Sequence, residues 1–135
     1  MMTPAEAQTY CTTLTKKSGS NFYYSFLFLP KARREAMYTV YAFCKEVDNA
    51  VDEPPPGSHP QEELVRWRRE LAAAYDGTPT FPVTISLAKH VRELSIPQAY
   101  FEELIKGVEM DLTSTRYATF DQLSLYCYRV ASVVG

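Results

Sequence analysis

The chain has 135 residues, a length at which a single domain with its own apolar core is the default. Hydrophobic residues make up 46% and charged residues 22%, as in ordinary globular proteins, and the formal net charge is −2 without any long basic run. Nucleic acid is therefore not an expected partner. The N-terminus lacks the layout of a signal peptide, and no apolar stretch approaches the roughly 20 residues that a membrane-spanning helix needs. The unpaired cysteines described below lead us to expect a cytoplasmic protein.

The first half of the sequence predicts two helices. Thr3-Pro4-Ala5-Glu6 combines an N-cap, a first-turn proline and a capping-box glutamate, which predicts a helix from there to about Lys17. The stretch 18–21 breaks it, and an aromatic run to Pro30 follows. A long helix is predicted from about Lys31 to Glu53, because this segment contains neither glycine nor proline.

The second half predicts shorter helices with short connections. Ser58 and Gln61 are expected to cap a helix that ends at about Tyr75. Further helices are predicted at 82–94 and 97–111, and Thr119 with Gln122 is expected to open a last one. No segment shows the alternation of a strand, so the predicted fold is all-α. The last helix reaches Gly135 without a cap, so we expect the sequence to be the N-terminal portion of a longer domain.

The three cysteines and two histidines give no sign of a metal site. Cys11, Cys44 and Cys127 are far apart and lack CxxC spacing, so reduced, buried thiols are expected. His59 and His90 have no ligand-like neighbour in the sequence and are assigned no role.

The long helix carries a polar row beside its apolar face. At about 100° per residue the apolar face consists of five residues: Met37, Val40, Cys44, Val47 and Val51. About a quarter-turn away lies the row formed by Tyr41, Lys45, Asp48 and Asp52, which Arg34 and Tyr38 extend. A polar row so close to a core face is typical of a helix that lines a cavity, although a solvated helix side gives the same pattern.

Asp48 and Asp52 stand at the end of this helix, in "KEVDNAVDEPPP" (45–56). Like charges at i and i+4 repel each other by about 0.2–0.5 kcal/mol. Each carboxylate also faces the negative end of the helix dipole, which costs about 0.3–1 kcal/mol. A divalent cation would offset both costs, and Mg²⁺ is typically held by one or two carboxylates together with phosphates and water.

Three segments resemble the squalene/phytoene synthase family, which joins prenyl diphosphates head to head. They are "SNFYYSFLFLPKARREAMYTVYAFCKEVDNAVDE" (20–53), "RWRRELAAAYDGTPTFPVTISL" (66–87) and "IKGVEMDLTSTRYATFDQLSLYCYRVASVVG" (105–135). The likeness is greatest to the bacterial branch that makes presqualene diphosphate for hopanoids. It implies an isoprenoid-synthase-type helical bundle around a central cavity, with residues 1–135 as the N-terminal portion of one domain. The family's second aspartate-rich motif would follow the last residue.

The resemblance also implies roles for individual residues. Asp48 and Asp52 match the aspartates that bind Mg²⁺ bridged to substrate diphosphate, and Tyr41 and Lys45 match positions in the diphosphate pocket. Phe22 and Phe26 match aromatics that flank the substrates, and Tyr126 matches a tyrosine near the carbocation. Four more residues match the small apolar wall of the prenyl tunnel: Val130, Ala131, Val134 and Gly135.

The sequence departs from the family pattern at three positions. Lys45 stands where arginine is usual, which loses bidentate phosphate recognition but keeps the charge. Asn49 replaces a common third acid, and Ser132 stands where glycine is usual. The other aromatics near residue 22, including Tyr24 and Phe28, are expected in the core or along the tunnel.

The implied reaction is the Mg²⁺-dependent condensation of two farnesyl diphosphates to presqualene diphosphate. Phytoene or dehydrosqualene synthase is the alternative within the enzyme class, and a non-catalytic helical scaffold is the alternative outside it. Peripheral contact with a membrane is expected for product release. Because the second aspartate-rich motif would follow the last residue, residues 1–135 alone are expected to be inactive or nearly so. An apolar stripe on the last helix, from Leu123 through Tyr126 and Val130 to Val134, is expected to make them prone to self-association.

Overall fold

A computed structural model describes residues 2–17, 24 and 27–111, and this part of the chain contains helices and no strand. The helices are α1 (Pro4–Lys17), α2 (Lys31–Asp52), α3 (Pro60–Asp76), α4 (Pro82–Leu94) and α5 (Gln98–Asp111). The all-α prediction is confirmed, and most helix bounds match the sequence reading within a residue or two. The helix expected from Thr119 onwards lies outside the described residues.

The helix ends follow from local chemistry at most positions. Thr3 and Glu6 form the predicted capping box, with the Thr3 amide 3.0 Å from Glu6 Oε1 and the Glu6 amide 3.1 Å from Thr3 Oγ1. Gly77 ends α3 in the left-handed region at φ 92°, which glycine adopts without a steric cost. The prediction that Ser58 and Gln61 cap this helix is wrong. Pro60 occupies the first turn of α3, so the N-cap is His59, whose side chain makes no capping bond.

Helix α2 is the centre of the bundle and packs against the other four helices. Its predicted apolar face is confirmed, because Met37, Val40, Cys44, Val47 and Val51 are all buried. Three edge-to-face ring pairs extend the core to α3 and α5. The centroid distances are 5.6 Å for Phe43–Trp67, 5.5 Å for Phe43–Phe101 and 5.0 Å for Trp67–Phe81. Such pairs contribute about 0.5–1.5 kcal/mol each beyond their buried area.

Helix α1 is held on α2 and α4 by small side chains and hydrogen bonds. Its buried residues are Ala7, Cys11 and Thr15. Thr15 Oγ1 donates to the backbone carbonyls of Cys11 (2.9 Å) and Tyr38 (3.1 Å). Cys11 and Cys44 are buried free thiols, as expected, and burial raises the pKa of Cys11 to about 11. Cys127 lies outside the described residues.

Two further expectations concern the surface. Within the described ranges, no helix is long and apolar enough to cross a membrane. In the aromatic run before Pro30, Tyr24 and Phe28 are exposed, Phe28 by 93%, so neither belongs to the core of this structure. The expectation that these two residues belong to the core is therefore wrong, and the alternative that they line the tunnel stays a prediction.

Candidate active site

The polar row of α2 passes from the core to the surface along the helix. Tyr38 and Tyr41 are almost fully buried, at 3% and 2% exposure. One turn later Lys45 is partly buried, as is Asp48, and Asp52 is exposed. The row therefore has charged groups at its solvent end and aromatic rings inside the bundle.

Asp48 and Asp52 lie one turn apart, which separates their backbone positions by about 6 Å along the helix axis. The last turn of α2 contains no basic residue that could neutralise them. Both aspartates take part in hydrogen-bonding or electrostatic interactions. In the part of the chain that the structure describes, no group of three His, Cys, Asp or Glu side chains could hold a metal ion. The two carboxylates fit a cation such as Mg²⁺ only if phosphate and water supply its other ligands.

The other two acids of the stretch 45–56 have separate surroundings. Glu46 accepts a hydrogen bond from the Tyr10 hydroxyl on α1. Burial and this contact with Glu46 raise the pKa of Tyr10 to about 12. Glu53 is exposed at the C-cap of α2. The four acids that are crowded in the sequence therefore comprise one pair on the polar row and two residues with other neighbours.

A groove of about 760 Å³ runs between α1 and α2, beside the polar row. Lys45 and Asn49 line it from α2, while Tyr10, Thr13, Leu14 and Lys17 line it from α1. The sequence reading identified Lys45 but missed the contribution of α1. The helical spacing of Tyr10, Thr13 and Lys17, at i, i+3 and i+7, is the signal that could have indicated a shared face.

The remaining predicted site residues lie outside the described residues. These are Phe22, Phe26, Tyr126, Val130, Ala131, Val134 and Gly135. Their roles remain predictions.

The family described as "Squalene/phytoene synthase" matches residues 15–135. The chain therefore belongs to the squalene/phytoene synthase family.

Similar proteins include synthases of two kinds. A phytoene synthase from Arthrospira platensis is 36% identical over the whole chain, which covers 45% of that relative. A presqualene diphosphate synthase from Rhodopseudomonas palustris is 40% identical over 87% of the chain and 42% of the relative. The chain thus spans less than half the length of these relatives.

Two solved structures share the fold at 24% sequence identity. A crystal structure of a dehydrosqualene synthase with bound ligand superposes with a TM-score of 0.72, covering 97% of this chain and 51% of that one. A squalene synthase from Alicyclobacillus acidocaldarius superposes with a TM-score of 0.74, covering 95% and 55%. The expected isoprenoid-synthase-type helical fold is confirmed.

Proposed function

We propose that this chain is part of a Mg²⁺-dependent prenyltransferase that joins two prenyl diphosphates head to head. The observation that carries the proposal is the position of Asp48 and Asp52. They form a carboxylate pair at the solvent end of a helix row whose inner end is buried aromatic surface. A prenyl diphosphate has the same arrangement, with a charged diphosphate head at one end and an apolar tail at the other. Family membership supports the same reaction class.

In the proposed reaction the allylic C–O bond of one substrate breaks, and its electron pair leaves with the diphosphate. The double bond of the second substrate attacks the allylic cation, and loss of one proton closes a cyclopropane ring. Two diphosphates are thereby converted to presqualene diphosphate, free diphosphate and a proton. A bound Mg²⁺ would neutralise charge that develops on the leaving group.

The residues of this chain would position the head group and exclude water. Asp48 and Asp52 would hold the metal. Lys45 would offer a point charge to a phosphate oxygen, without the bidentate geometry of arginine. The buried rings of Tyr38 and Tyr41 would keep water from the cation, which would otherwise be captured as an alcohol.

Farnesyl diphosphate is the substrate that we favour, because the presqualene diphosphate synthase relative is 40% identical. Phytoene synthesis is the second candidate, supported by a relative at 36% identity over the whole chain. We further propose a cytoplasmic enzyme that contacts a membrane peripherally when the lipid product leaves.

Product analysis by mass spectrometry is the direct test. The native-length protein is incubated with Mg²⁺ and either farnesyl or geranylgeranyl diphosphate. Presqualene diphosphate from the first substrate is the expected result, whereas a forty-carbon product from the second would favour phytoene synthesis.

A thermal-shift titration separates an enzyme from a non-catalytic scaffold. Mg²⁺ and farnesyl thiodiphosphate, an unreactive analogue, are added singly and then together. A ligand that binds only the folded state raises its melting temperature, so we expect joint stabilisation that exceeds the sum of the single effects. A melting temperature that stays unchanged with both would favour the scaffold.

A further inference from the structure

We propose that a surface at the start of α2 contacts a membrane that contains anionic lipid. Five residues form it, and together they are named the 24–33 surface: Tyr24, Leu27, Phe28, Lys31 and Arg33. This inference rests on the proposed function, because an enzyme that makes a lipid has to pass its product to a membrane. It deepens that function by naming the residues that make the contact.

Large apolar side chains are clustered on this surface. In the described part of the chain, three of the five exposed large hydrophobic residues lie within residues 24–28. Phe28 is almost completely exposed, and Tyr24 and Leu27 are exposed as well. Single exposed apolar side chains are ordinary in globular proteins, whereas a cluster of them marks a binding surface. Removal of these side chains from water is the apolar part of the proposed contact.

The local structure holds these side chains in the solvent. The Leu27 amide donates to the backbone carbonyl of Tyr24, 3.2 Å away, which closes a turn. Leu29, in contrast, is partly buried and packs against the core of the bundle. Pro30 follows as the N-cap of α2, with φ at −54°, close to the value that its ring imposes. Leu29 therefore anchors the turn to the bundle, while Leu27 and Phe28 stay exposed.

The charges beside the apolar cluster are basic. Lys31 and Arg33 lie in the first turn of α2, which contains no acidic residue. Over the longer stretch 7–34 the five charged residues are all lysine or arginine, although the whole chain has a net charge of −2. Cations at a helix N-terminus oppose the helix dipole, so helix stability does not explain them. An anionic surface next to them would offset that cost.

These cations remain accessible to a phosphate group. Lys31 Nζ lies 3.9 Å from Glu35 Oε1, but the lysine side chain is largely exposed, and such surface ion pairs are weak. Arg33 forms no ion pair within the described residues. Both cations can therefore interact with lipid phosphates.

The combination of side chains favours a membrane as the partner. Aromatic and aliphatic side chains next to lysine and arginine are typical of segments that bind the membrane interface. Each basic residue close to an anionic leaflet strengthens binding about fivefold. A protein of negative net charge is otherwise repelled by such a leaflet, so a local basic surface determines which side of the molecule faces the lipid.

The apolar test compares the double variant Leu27→Ser/Phe28→Ser with Val65→Ser in the native-length protein. Val65 is also an exposed apolar residue, but it lies on α3. Co-sedimentation measures binding to vesicles of phosphatidylcholine that also contain phosphatidylglycerol. The double variant should bind about tenfold more weakly or worse, because two apolar side chains no longer leave water. Val65→Ser should bind like the wild type.

The charge test compares the double variant Lys31→Gln/Arg33→Gln with Arg69→Gln, which removes an exposed cation from α3. On the anionic vesicles the double variant should bind about tenfold more weakly or worse, and added salt should weaken the wild type in the same way. On pure phosphatidylcholine the double variant and the wild type should bind equally weakly. Arg69→Gln should match the wild type on both kinds of vesicle.

Four results would overturn the inference. One is equal vesicle binding by the wild type and both double variants. Another is loss of farnesyl thiodiphosphate binding in Phe28→Ser with vesicle binding unchanged, which would place Phe28 along the prenyl tunnel. A dimer that Phe28→Ser dissociates, again with vesicle binding unchanged, would make the surface an interface between copies. A large fall in melting temperature in Phe28→Ser would show that the native chain buries this residue.

Failure of this inference differs from failure of the proposed function. Product formation from farnesyl diphosphate in solution requires no vesicle. If the wild type forms product but binds neither kind of vesicle, the 24–33 surface is wrong and the proposed function stands. If it binds anionic vesicles through this surface but forms no product, the proposed function is wrong.

Discussion

His90 Nε2 lies 2.6 Å from Oε1 of Gln8, so a side chain of α4 contacts a side chain of α1 across 82 positions of sequence. Gln8 Nε2 donates to the backbone carbonyl of Glu35, 3.1 Å away, which leaves Oε1 as the acceptor for the imidazole. His90 is 2% exposed, and its Nδ1 atom has no partner among the described residues. The neutral imidazole with its proton on Nε2 is therefore the form that the fold accommodates.

This contact predicts that acidification destabilises the protein. Burial, followed by the charge of neighbouring Lys89, lowers the pKa of His90 below its ordinary value of 6.5, although Glu93 and Glu35 oppose the shift. The unfolded chain then binds more protons than the folded one, so the free energy of unfolding should fall as pH drops below 6.5. Urea unfolding at a series of pH values between neutrality and pH 5 measures this slope.

The only other histidine in the sequence supplies the control. His59 is exposed, so His59→Gln should keep the wild-type slope. His90→Gln should flatten the slope, at some cost in stability at neutral pH. An equal slope in His90→Gln and the wild type would show that another group causes the effect.

A second prediction concerns the carboxylate pair. Asp48→Asn or Asp52→Asn in the native-length protein should lower kcat/KM about a hundredfold or more, because charge stabilisation at the leaving group is lost. The fold should persist. Thermal unfolding should even show a small gain in stability, since repulsion of about 0.2–0.5 kcal/mol and the unfavourable dipole contact are relieved.

Glu53→Gln is the matched control for this pair. Glu53 carries the same charge next to Asp52 but lies at the C-cap of α2. We expect this variant to turn over at the wild-type rate. A wild-type rate in Asp48→Asn and Asp52→Asn would contradict the metal assignment.

A third prediction concerns Glu70, a residue of α3 that caps the start of α4. Its Oε1 accepts hydrogen bonds from the amides of Thr80 (2.9 Å) and Phe81 (3.1 Å) and from the Thr84 hydroxyl (2.8 Å). The N-cap residue Phe81 has no side chain able to do this. Glu70→Ala should therefore cost about 1–2 kcal/mol, as the loss of an N-cap does. Glu70→Gln keeps one oxygen acceptor and should cost less.

The same carboxylate should make stability sensitive to acid. Burial of Glu70 would by itself raise its pKa, but the hydrogen bonds from Thr80, Thr84 and Phe81 outweigh burial and lower the pKa below 4.5. The ionised carboxylate of Glu70 therefore stabilises the fold above pH 4.5. This stabilisation is lost as the pH falls through the lower pKa that Glu70 has in the folded state. The difference in stability between wild type and Glu70→Gln should shrink below pH 4.5. A stability difference between wild type and Glu70→Gln that stays constant down to pH 3 would contradict the capping role of Glu70.

A fourth prediction tests the aromatic core. Phe43 is fully buried and contacts both Trp67 and Phe101, so Phe43→Ala should cost about 3–5 kcal/mol. Phe43→Leu keeps most of the volume and remains measurable if the alanine variant does not fold. Val65→Ala, at an exposed position of α3, should change the free energy of unfolding by less than about 0.5 kcal/mol in urea titrations. If Phe43→Leu and Val65→Ala lower the free energy of unfolding by similar amounts, Phe43 is not a core residue.

The helices were predictable because their ends depend on neighbours in sequence. The capping box of Thr3 and Glu6, Pro82 in the first turn of α4 and Gly77 after α3 each act within a few residues. The error at Ser58 has the same local origin. Pro60 belongs in the first turn, which makes His59 the N-cap and moves Ser58 outside the helix.

Contacts between distant segments could not be read from the sequence. His90 was assigned no role because its partner Gln8 belongs to another helix. Glu70 likewise gave no sign that it caps a helix that begins twelve residues further on. The pair of Asp48 and Asp52 was predictable, because both lie on one helix and their spacing alone gives their relation. The groove between α1 and α2 was not, since the crossing of the two helices determines it.

The buried residues of α1 are Ala7, Cys11 and Thr15, all of them small. Small contact residues let two helix axes approach closely, and larger ones at these positions would push the axes apart. The width of the groove between α1 and α2 is thus governed by three side chains that do not line it. Natural variation at 7, 11 and 15 would therefore change the width of the groove, while every residue that lines it stays the same.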